Sequence, residues 1–229
     1  MESSSANWSK KSWADLLKKS VPEDFYSRET LQVAKDLLGK LVVVRTKPTQ
    51  NWGDARAGVT VSRIVETEAY RADDPASHSC RGETPRSAIM FGDPGKAYIY
   101  FIYGMYEMLN FVTEPRGYAG AVLIRAVEPV YGETLMTKRR QSSATKTSRT
   151  GLTNGPGRLT QALGIKMAHK GESLWGPTFY VIDDGIRPNA MDSSPRVGIR
   201  VATDKYWRFF VPGNPYVSKC RENSLSKPV

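Results

Sequence analysis

Apolar and polar positions along the chain follow periods typical of helices and strands. Between Ser27 and Gly39 apolar residues recur at helical spacing, which predicts a helix with Ser27 as its N-cap and Gly39 as its stop. Runs of β-branched residues at 41–45 and 58–70 predict the first two strands. The same periods predict short helices at 135–140 and 158–163, and further strands at 97–103, 106–113, 119–127, 179–183, 196–202 and 208–211.

Many short strands with few helices predict an α+β fold, a single compact domain with a curved, mostly antiparallel sheet flanked by helices. Residues 1–22 are interpreted as an appendage with a short amphipathic helix, residues 23–222 as the domain and residues 223–229 as a tail. A loop at 71–86, rich in Asp, Pro, Ser and Gly, interrupts the strands. Loops of that length often carry function.

The composition narrows the class of protein. A chain of 229 residues, 40% hydrophobic and 24% charged, is expected to fold as an ordinary soluble domain. It has no apolar run near the roughly 20 residues of a membrane span and no signal-peptide pattern, so an intracellular protein is expected. Cys80 and Cys220 are expected to be reduced thiols. His78 and Cys80 could suggest a metal, but the only other histidine is His169, so no metal site is expected.

The charge is more informative than the composition. A formal net charge of +10 attracts polyanions and makes nucleic acid the leading partner, against the alternative of a merely solvated cationic surface. Between Glu133 and Glu172 no residue is acidic, which suits a surface that faces phosphates. The turn at 154–158 could offer backbone donors to a phosphate, or serve only as a turn and helix cap. The basic residues of this stretch are Lys138, Arg139, Arg140, Lys146, Arg149, Arg158, Lys166 and Lys170.

Two carboxylates in the second strand are candidates for acid–base chemistry. Strand alternation places Glu66, Glu68 and Tyr70 on one face, next to the loop that carries His78. One of these carboxylates could act as a base. The alternative is a solvated strand face, which is the usual fate of paired strand glutamates.

A tyrosine-rich run forms the second candidate feature. Four tyrosines fall between residues 98 and 106, and a turn at Gly104 follows the predicted strand. They could be packed core residues, or stacking surfaces for a nucleobase with a protruding wedge at the turn. Alternation separates Tyr100 from Tyr103, so one could line a pocket while the other projects.

Taken together, these segments resemble the alkyladenine (3-methyladenine) DNA glycosylases. The resemblance spans residues 25–218, and the matched segments occur in the same order as in that family. The most specific segments are 63–70, 78–79, 84–86, 90–91, 94–95, 98–110, 123–126 and 161–163.

The resemblance implies roles for the residues that would bind and release the base. Glu68 is similar to the general base that activates water, and Arg125 to an arginine near that water and the DNA backbone. Tyr70, His78 and Tyr100 resemble the aromatic walls around an extruded base.

The resemblance also implies a hairpin that inserts into DNA. Tyr103 matches the intercalating residue, and Met105 and Tyr106 belong to the same protruding hairpin. Asn110 resembles the residue that hinders guanine through its exocyclic amine. Cys80 departs from the family, since an arginine or a similar residue is common at its position.

The implied activity is that of a monofunctional DNA glycosylase. It would flip an alkylated or deaminated purine out of double-stranded DNA and hydrolyse its bond to deoxyribose, without metal or cofactor, as a monomer that resides with the DNA. In a eukaryote that place would be the nucleus, and in a bacterium the cytoplasm or nucleoid. No lysine lies inside the matched segments, so strand cleavage through a Schiff base is not expected. The alternatives are a non-catalytic nucleic-acid-binding protein and a formyltransferase-like substrate-binding domain.

Overall fold

The computed structural model describes residues 13–46, 58–141 and 148–229. In this part of the chain a single antiparallel sheet carries four helices. The helices are α1 (Trp13–Leu17), α2 (Thr30–Asp36), α3 (Glu133–Arg140) and α4 (Pro156–Leu163). The strands are β1 (Leu41–Arg45), β2 (Val59–Arg71), β3 (Ala97–Ile102), β4 (Tyr106–Thr113), β5 (Gly120–Tyr131), β6 (Phe179–Ile182), β7 (Asp192–Ser194), β8 (Arg208–Phe210) and β9 (Lys227–Pro228).

Strand β2 is the centre of the sheet. The strand order is β3-β4-β5-β2-β8-β7-β9, and β1 pairs with both β2 and β6. The register between β2 and β5 shifts on both sides of Glu66, which marks a bulge there. A single α+β domain with a large antiparallel sheet that is not closed into a barrel confirms the predicted fold class.

The largest hydrophobic cluster lies between the sheet and helices α2 and α4. It includes Val33 and Leu37 at α2, Leu159 and Leu163 of α4, and Ile124 of β5. Leu16 of α1 packs in a second cluster with β1, and β9 pairs with β7, so both ends of the described chain contact the domain. The boundaries 1–22, 23–222 and 223–229 stay a prediction.

The first long helix begins later than its sequence pattern predicted. Ser27 is not the N-cap, because its hydroxyl donates to the carbonyl of Asp24. Glu29 caps the helix instead, since its carboxylate accepts the Gln32 N–H at 2.8 Å. The helix ends at Asp36 with Leu37 as its C-cap, which is earlier than the predicted stop at Gly39, and Gly39 adopts a φ of +85° in the turn that follows.

One predicted strand is wrong. Residues 196–202 form no strand, and the segment between β7 and β8 is irregular. Gly198 has a φ of +77° and Ala202 a φ of +53°, values that a strand does not allow. Strands β7 and β9 were not predicted, because each has only two or three residues and no alternating pattern.

Candidate active site

A cavity of about 460 Å³ lies between the sheet and two irregular segments, 76–78 and 197–201. Its volume falls in the range of pockets that bind small molecules. Strands β2 to β5 supply its floor and one wall. Seven of the nine predicted site residues line it, namely Glu68, Tyr70, His78, Tyr100, Tyr103, Asn110 and Arg125.

Glu68 is the carboxylate on the floor of the cavity. Its side chain is fully buried and accepts three polar contacts. The Tyr70 hydroxyl donates to Oε2 at 2.7 Å, and the backbone N–H of Val197 donates to Oε1 at 2.7 Å. Nη1 of Arg125 lies 3.2 Å from Oε1. These contacts hold the carboxylate in one orientation towards the cavity.

Glu66 contacts the same arginine but does not line the cavity. Nε of Arg125 donates to Oε1 of Glu66 at 2.7 Å, and Nε of Arg208 donates to the same oxygen at 2.7 Å. Burial alone would raise the pKa of Glu66, but the charges of Arg125 and Arg208 and hydrogen bonds from Ser218 lower it. Glu66 is therefore a buried anion at neutral pH. Both glutamates contact Arg125, as expected of side chains that share a strand face.

Arg125 stays a cation despite its burial. Burial would lower its pKa, but Glu68 and Glu66 together raise it above the usual value. A guanidinium fits two carboxylates better than an ammonium would, because its donors form a planar fork. The sequence showed only that Arg125 lies in a strand, and the strand pairing of β5 with β2 brings it to both glutamates.

Three aromatic side chains form the walls above Glu68. His78 and Tyr100 meet edge to face with ring centroids 4.7 Å apart. Tyr70 is half-buried, and burial followed by the charge of Glu68 raises the pKa of its phenol well above the usual value. Its hydroxyl therefore keeps its proton and donates it in the hydrogen bond to Glu68.

His78 is a neutral imidazole at physiological pH. Burial, followed by the charge of Arg86, lowers its pKa from 6.5 to about 4. Nδ1 of His78 lies 2.8 Å from the hydroxyl of Tyr98, a buried tyrosine that the sequence did not assign to the site. This hydrogen bond fixes the orientation of the ring.

Asn110 lies on β4 beside Tyr98 of β3. Its Nδ2 donates to the backbone carbonyl of Tyr98 at 3.1 Å and has a longer contact of 3.4 Å with that of Met108. Because both contacts involve the amide nitrogen, they fix the orientation of the side-chain amide in the cavity wall.

The β3–β4 hairpin projects beyond the cavity. Tyr103 is 78% exposed and Met105 is 57% exposed. Tyr103 and Gly104 have φ values of +54° and +67°, and the N–H of Met105 donates to the carbonyl of Ile102, as in a type I′ turn. Tyr106 differs from its neighbours, because it is half-buried. Its ring packs so closely against Gly157 of α4 that a side chain at position 157 would not fit.

The segment that was wrongly predicted as a strand supplies one cavity residue, Val197, and one residue that supports the cavity wall, Arg196, and sequence reasoning missed both. Val197 donates its N–H to Glu68. Arg196 is buried, pairs with both carboxylate oxygens of Asp74 in the 71–86 loop, and lies 4.6 Å from the centroid of the Tyr70 ring. Pro195 and Gly198, which disfavour a strand, were the signal that could have identified an irregular segment here.

The basic residues between Glu133 and Glu172 differ in exposure, since Arg139 and Arg140 are half-buried whereas Arg149 is exposed. Arg139 donates to the carbonyl of Ala162, Arg140 bonds to Gln161, and Arg149 pairs with Glu133 at 3.0 Å. Arg158, at the first turn of α4, donates to Asn154. Lys138, Arg158, Lys166 and Lys170 are exposed, and Lys146 lies outside the described residues.

The described residues also bear on metal binding, thiol chemistry and membrane insertion. In those ranges no group of three or more His, Cys, Asp or Glu side chains could hold a metal ion. Cys80 is an exposed free thiol, and Cys220 a partly buried one. Among the described helices, none has the length and apolar character needed to cross a membrane.

Comparison with known proteins gives a consistent result. A family model for methylpurine-DNA glycosylases matches residues 24–215. A protein of Chlorobaculum tepidum is 45% identical over 203 residues, which cover 88% of this chain and 91% of that protein. Proteins of Prosthecochloris aestuarii and Burkholderia cenocepacia are each 46% identical over 202 residues, covering 87% and 86% of this chain and 91% and 90% of theirs. All three are named as candidate 3-methyladenine DNA glycosylases.

Proposed function

This chain belongs to the methylpurine-DNA glycosylase family and is a DNA glycosylase, and on that premise we propose that it flips alkylated or deaminated purines out of duplex DNA and hydrolyses their N-glycosidic bonds. The proposed substrates are 3-methyladenine, 7-methylguanine, hypoxanthine and ethenoadenine. The observation that carries the proposal is Glu68, a buried carboxylate on the floor of an aromatic-walled cavity.

The first step is extrusion of the damaged nucleotide. Flipping costs a few kcal/mol of stacking and pairing, and least for a damaged base. Tyr103 is exposed at the hairpin tip and would fill the gap in the duplex, with Met105 beside it. Tyr106, packed at Gly157, would support the hairpin from its base.

The extruded purine then binds between aromatic side chains. A purine methylated at N3 or N7 is cationic and is attracted to the faces of Tyr70 and Tyr100. A neutral His78 suits the same base, because a histidine cation would repel it. Asn110 stands in the cavity wall, where it would hinder unmodified guanine through the exocyclic amine.

Hydrolysis then needs one base and no metal or cofactor in any step. Glu68 accepts a proton from water as the water oxygen bonds to C1′ of the deoxyribose, and the C1′–N bond breaks with its electron pair going to the purine. A purine methylated at N3 or N7 is a cation in DNA, so it leaves as a neutral molecule and needs no proton. Hypoxanthine and ethenoadenine are neutral in DNA and take up a proton as they leave, and in the overall reaction that proton comes from the water that attacks C1′. The anionic Glu68 also stabilises the positive charge that develops on the sugar, and Arg125 would orient the water and the adjacent phosphate.

The proposed product is an intact strand with an abasic site. The described residues that line the cavity include no lysine that could form a Schiff base with the sugar. We therefore expect no lyase activity. The proposed partner is double-stranded DNA, bound by a monomer that resides with the DNA of the cell, and the exposed lysines near α3 and α4 would add salt-dependent affinity.

The test is a Glu68→Gln variant assayed on duplexes that each carry one of the four lesions. We expect the single-turnover rate of base release to fall by about 10²–10⁴-fold, because the base is lost. The affinity for the duplex should change little, since Gln keeps the shape of the side chain. Glu128→Gln is the matched control, as Glu128 lies on β5 outside the cavity and bonds to Asn214.

Three results would contradict the proposal. Release by Glu68→Gln at the wild-type rate would remove Glu68 from the mechanism. A wild-type chain that binds the lesion duplexes but releases no base would be a nucleic-acid-binding protein. Displacement of the lesion duplex by an equal concentration of tRNA would favour the formyltransferase-like alternative.

A further inference from the structure

The mechanism uses Glu68 and leaves its neighbour Glu66 without a role. Glu66 is fully buried, lies outside the cavity lining and is an anion. Burying a carboxylate is costly unless donors surround it, so its presence two residues from the proposed base needs an explanation. Four donor groups converge on it, which are Nε of Arg125, Nε of Arg208, and the N–H and hydroxyl of Ser218.

Charges around the cavity floor are balanced. Three buried carboxylates face three buried guanidinium groups in this region, so the cluster as a whole carries no net charge. The group consists of Glu66, Glu68, Asp74, Arg125, Arg196 and Arg208. Asp74 and Arg196 pair with each other, and Arg208 pairs with Glu66. Of the three guanidinium groups in this cluster, Arg125 is the one that contacts two of its carboxylates, Glu66 and Glu68.

We infer that Glu66 is a positioning residue that holds Arg125 through the shorter of its two carboxylate contacts, which keeps Arg125 from pairing fully with Glu68 and leaves Glu68 available to activate water. The inference rests on the proposed function of Glu68. Arg125 makes its shorter contact with Glu66, at 2.7 Å, and its longer one with Glu68, at 3.2 Å. A carboxylate that is fully paired with a guanidinium accepts a proton from water less readily, so the longer contact favours the proposed role of Glu68.

Residues near the C-terminus hold Glu66 in place. Ser218 donates to both oxygens of Glu66, at 2.7 Å from its N–H and 2.6 Å from its hydroxyl. Asn223 accepts from Arg208 at 2.8 Å and donates to the carbonyl of Ser218. These hydrogen bonds make the segment part of the scaffold of the site, although both residues follow residue 215, where the family match ends.

Several other groups set the electrostatic environment of the two glutamates. Those around Glu68 come from β2, β3, β5 and the irregular segments beside the cavity, and Cys220 lies within the electrostatic influence of Glu66. Around Glu68 these are Tyr70 of β2, Tyr100 of β3, Arg125 of β5, and the pair of Arg196 and Asp74. The substitution of Glu66 leaves all of them in place, so a change in the pH profile reports on Glu66.

The experiment compares Glu66→Gln with the wild-type chain on a duplex with one 7-methylguanine. Its cationic purine needs no proton to leave, so loss of rate at low pH reports on the base that activates water. We expect the single-turnover rate at saturating enzyme to fall by about 10- to 100-fold, while the Kd for the duplex stays within about threefold. The low-pH limb of the rate profile should move to lower pH, because loss of one anion favours the anionic form of the other.

Two further variants separate this role from a loss of stability. Asp184→Asn removes a carboxylate that binds Arg63 of β2 at 2.8 Å, a largely buried ion pair outside the cavity, and should leave the rate and the pH limb unchanged. Ser218→Ala removes a donor from Glu66 without changing the charge, and should lower the rate in the same direction by less. If Glu66→Gln does not fold, Ser218→Ala decides the question.

The outcomes are distinguishable from failure of the proposed function. A Glu66→Gln variant with the wild-type rate and pH limb, or with a limb moved to higher pH, would overturn the inference. The inference would also be overturned if Ser218→Ala released base as fast as the control variant Asp184→Asn. Activity retained in Glu68→Gln would instead remove the function on which the inference rests.

Discussion

The cavity floor and the tip of the β3–β4 hairpin lie in the same sheet but are stabilised differently. On the floor, Glu68 and Arg125 are buried and each has several polar partners. At the tip, Tyr103 and Met105 expose most of their side chains, and Tyr103 adopts a left-handed conformation that is unfavourable for tyrosine. A reaction needs groups held in one geometry, whereas entry into a duplex needs apolar groups that are unpaired before binding. The difference predicts distinct responses to mutation.

Arg125→Met should have the largest effect, because it removes the cation shared by two buried carboxylates. We expect the free energy of unfolding to fall by about 3–5 kcal/mol, as for other broken buried ion pairs. Base release should be lost at temperatures where the variant is still folded. Urea unfolding and single-turnover assays measure the two quantities. Arg116→Met is the control, since its exposed pair with Asp93 should contribute less than about 1 kcal/mol. Equal loss of unfolding free energy in the two variants would contradict the conclusion that the buried ion pairs of Arg125 stabilise the fold more than an exposed pair does.

Tyr103→Asn should separate stability from binding at the tip. Asparagine tolerates the left-handed conformation, so we expect the free energy of unfolding to rise by about 0.5–1 kcal/mol. Lesion-duplex binding should weaken by about 1–2 kcal/mol, or roughly 5- to 30-fold in Kd, because the stacking ring is lost. Fluorescence anisotropy measures the Kd. Tyr118→Asn is a matched control, because Tyr118 is 70% exposed in the turn at the other end of β4. A similar loss of affinity in both variants would mean that Tyr103 has no specific contact.

Arg86→Gln should have the smallest effect of the three substitutions. It acts on the pKa of His78, which lies in the cavity wall between the floor and the hairpin tip. Because burial is the larger cause of the low pKa of His78, we expect that pKa to rise from about 4 but to stay below 6.5. NMR titration measures it, and His169→Gln assigns the signals, since the chain has two histidines. A pKa near 6.5 for His78 in the wild-type protein would contradict the conclusion that this cavity-wall residue is neutral at physiological pH.

The same pKa has a consequence for stability. The folded protein holds His78 with a pKa of about 4, while the unfolded chain has the ordinary value of 6.5. The unfolded state therefore binds more protons between these values, and stability from His78 is present above pH 6.5 and is lost as the pH falls towards 4. Because Arg86→Gln should raise the folded-state pKa of His78, the pH interval over which this stability is lost should have its lower end at a higher pH than about 4.

Local patterns were sufficient for the elements that carry the site. The alternation of apolar residues predicted β2 to β5, and strand period placed Glu66 and Glu68 on one face. The glycine after Tyr103 predicted the turn that exposes it. Ser27 shows the limit, because a serine and a glutamate can both cap a helix and only the geometry selects Glu29.

Long-range contacts decided what the local patterns could not. Arg196 and Val197 follow a proline in an irregular segment, and their partners Asp74 and Glu68 lie more than 120 residues earlier. No period in the sequence relates residues so far apart. The hydrogen bond from Ser218 to Glu66 could not be predicted for the same reason, since the two residues are 152 positions apart in the sequence.

The sequence by itself determined the strand pattern, the exposed hairpin, the positive charge and the two glutamates on one strand face. Only the tertiary structure decided which glutamate lies in the cavity and which is enclosed by arginines. The physical reason is that strand period determines the direction of a side chain, whereas the state of a buried charge depends on which donors the rest of the chain brings to it.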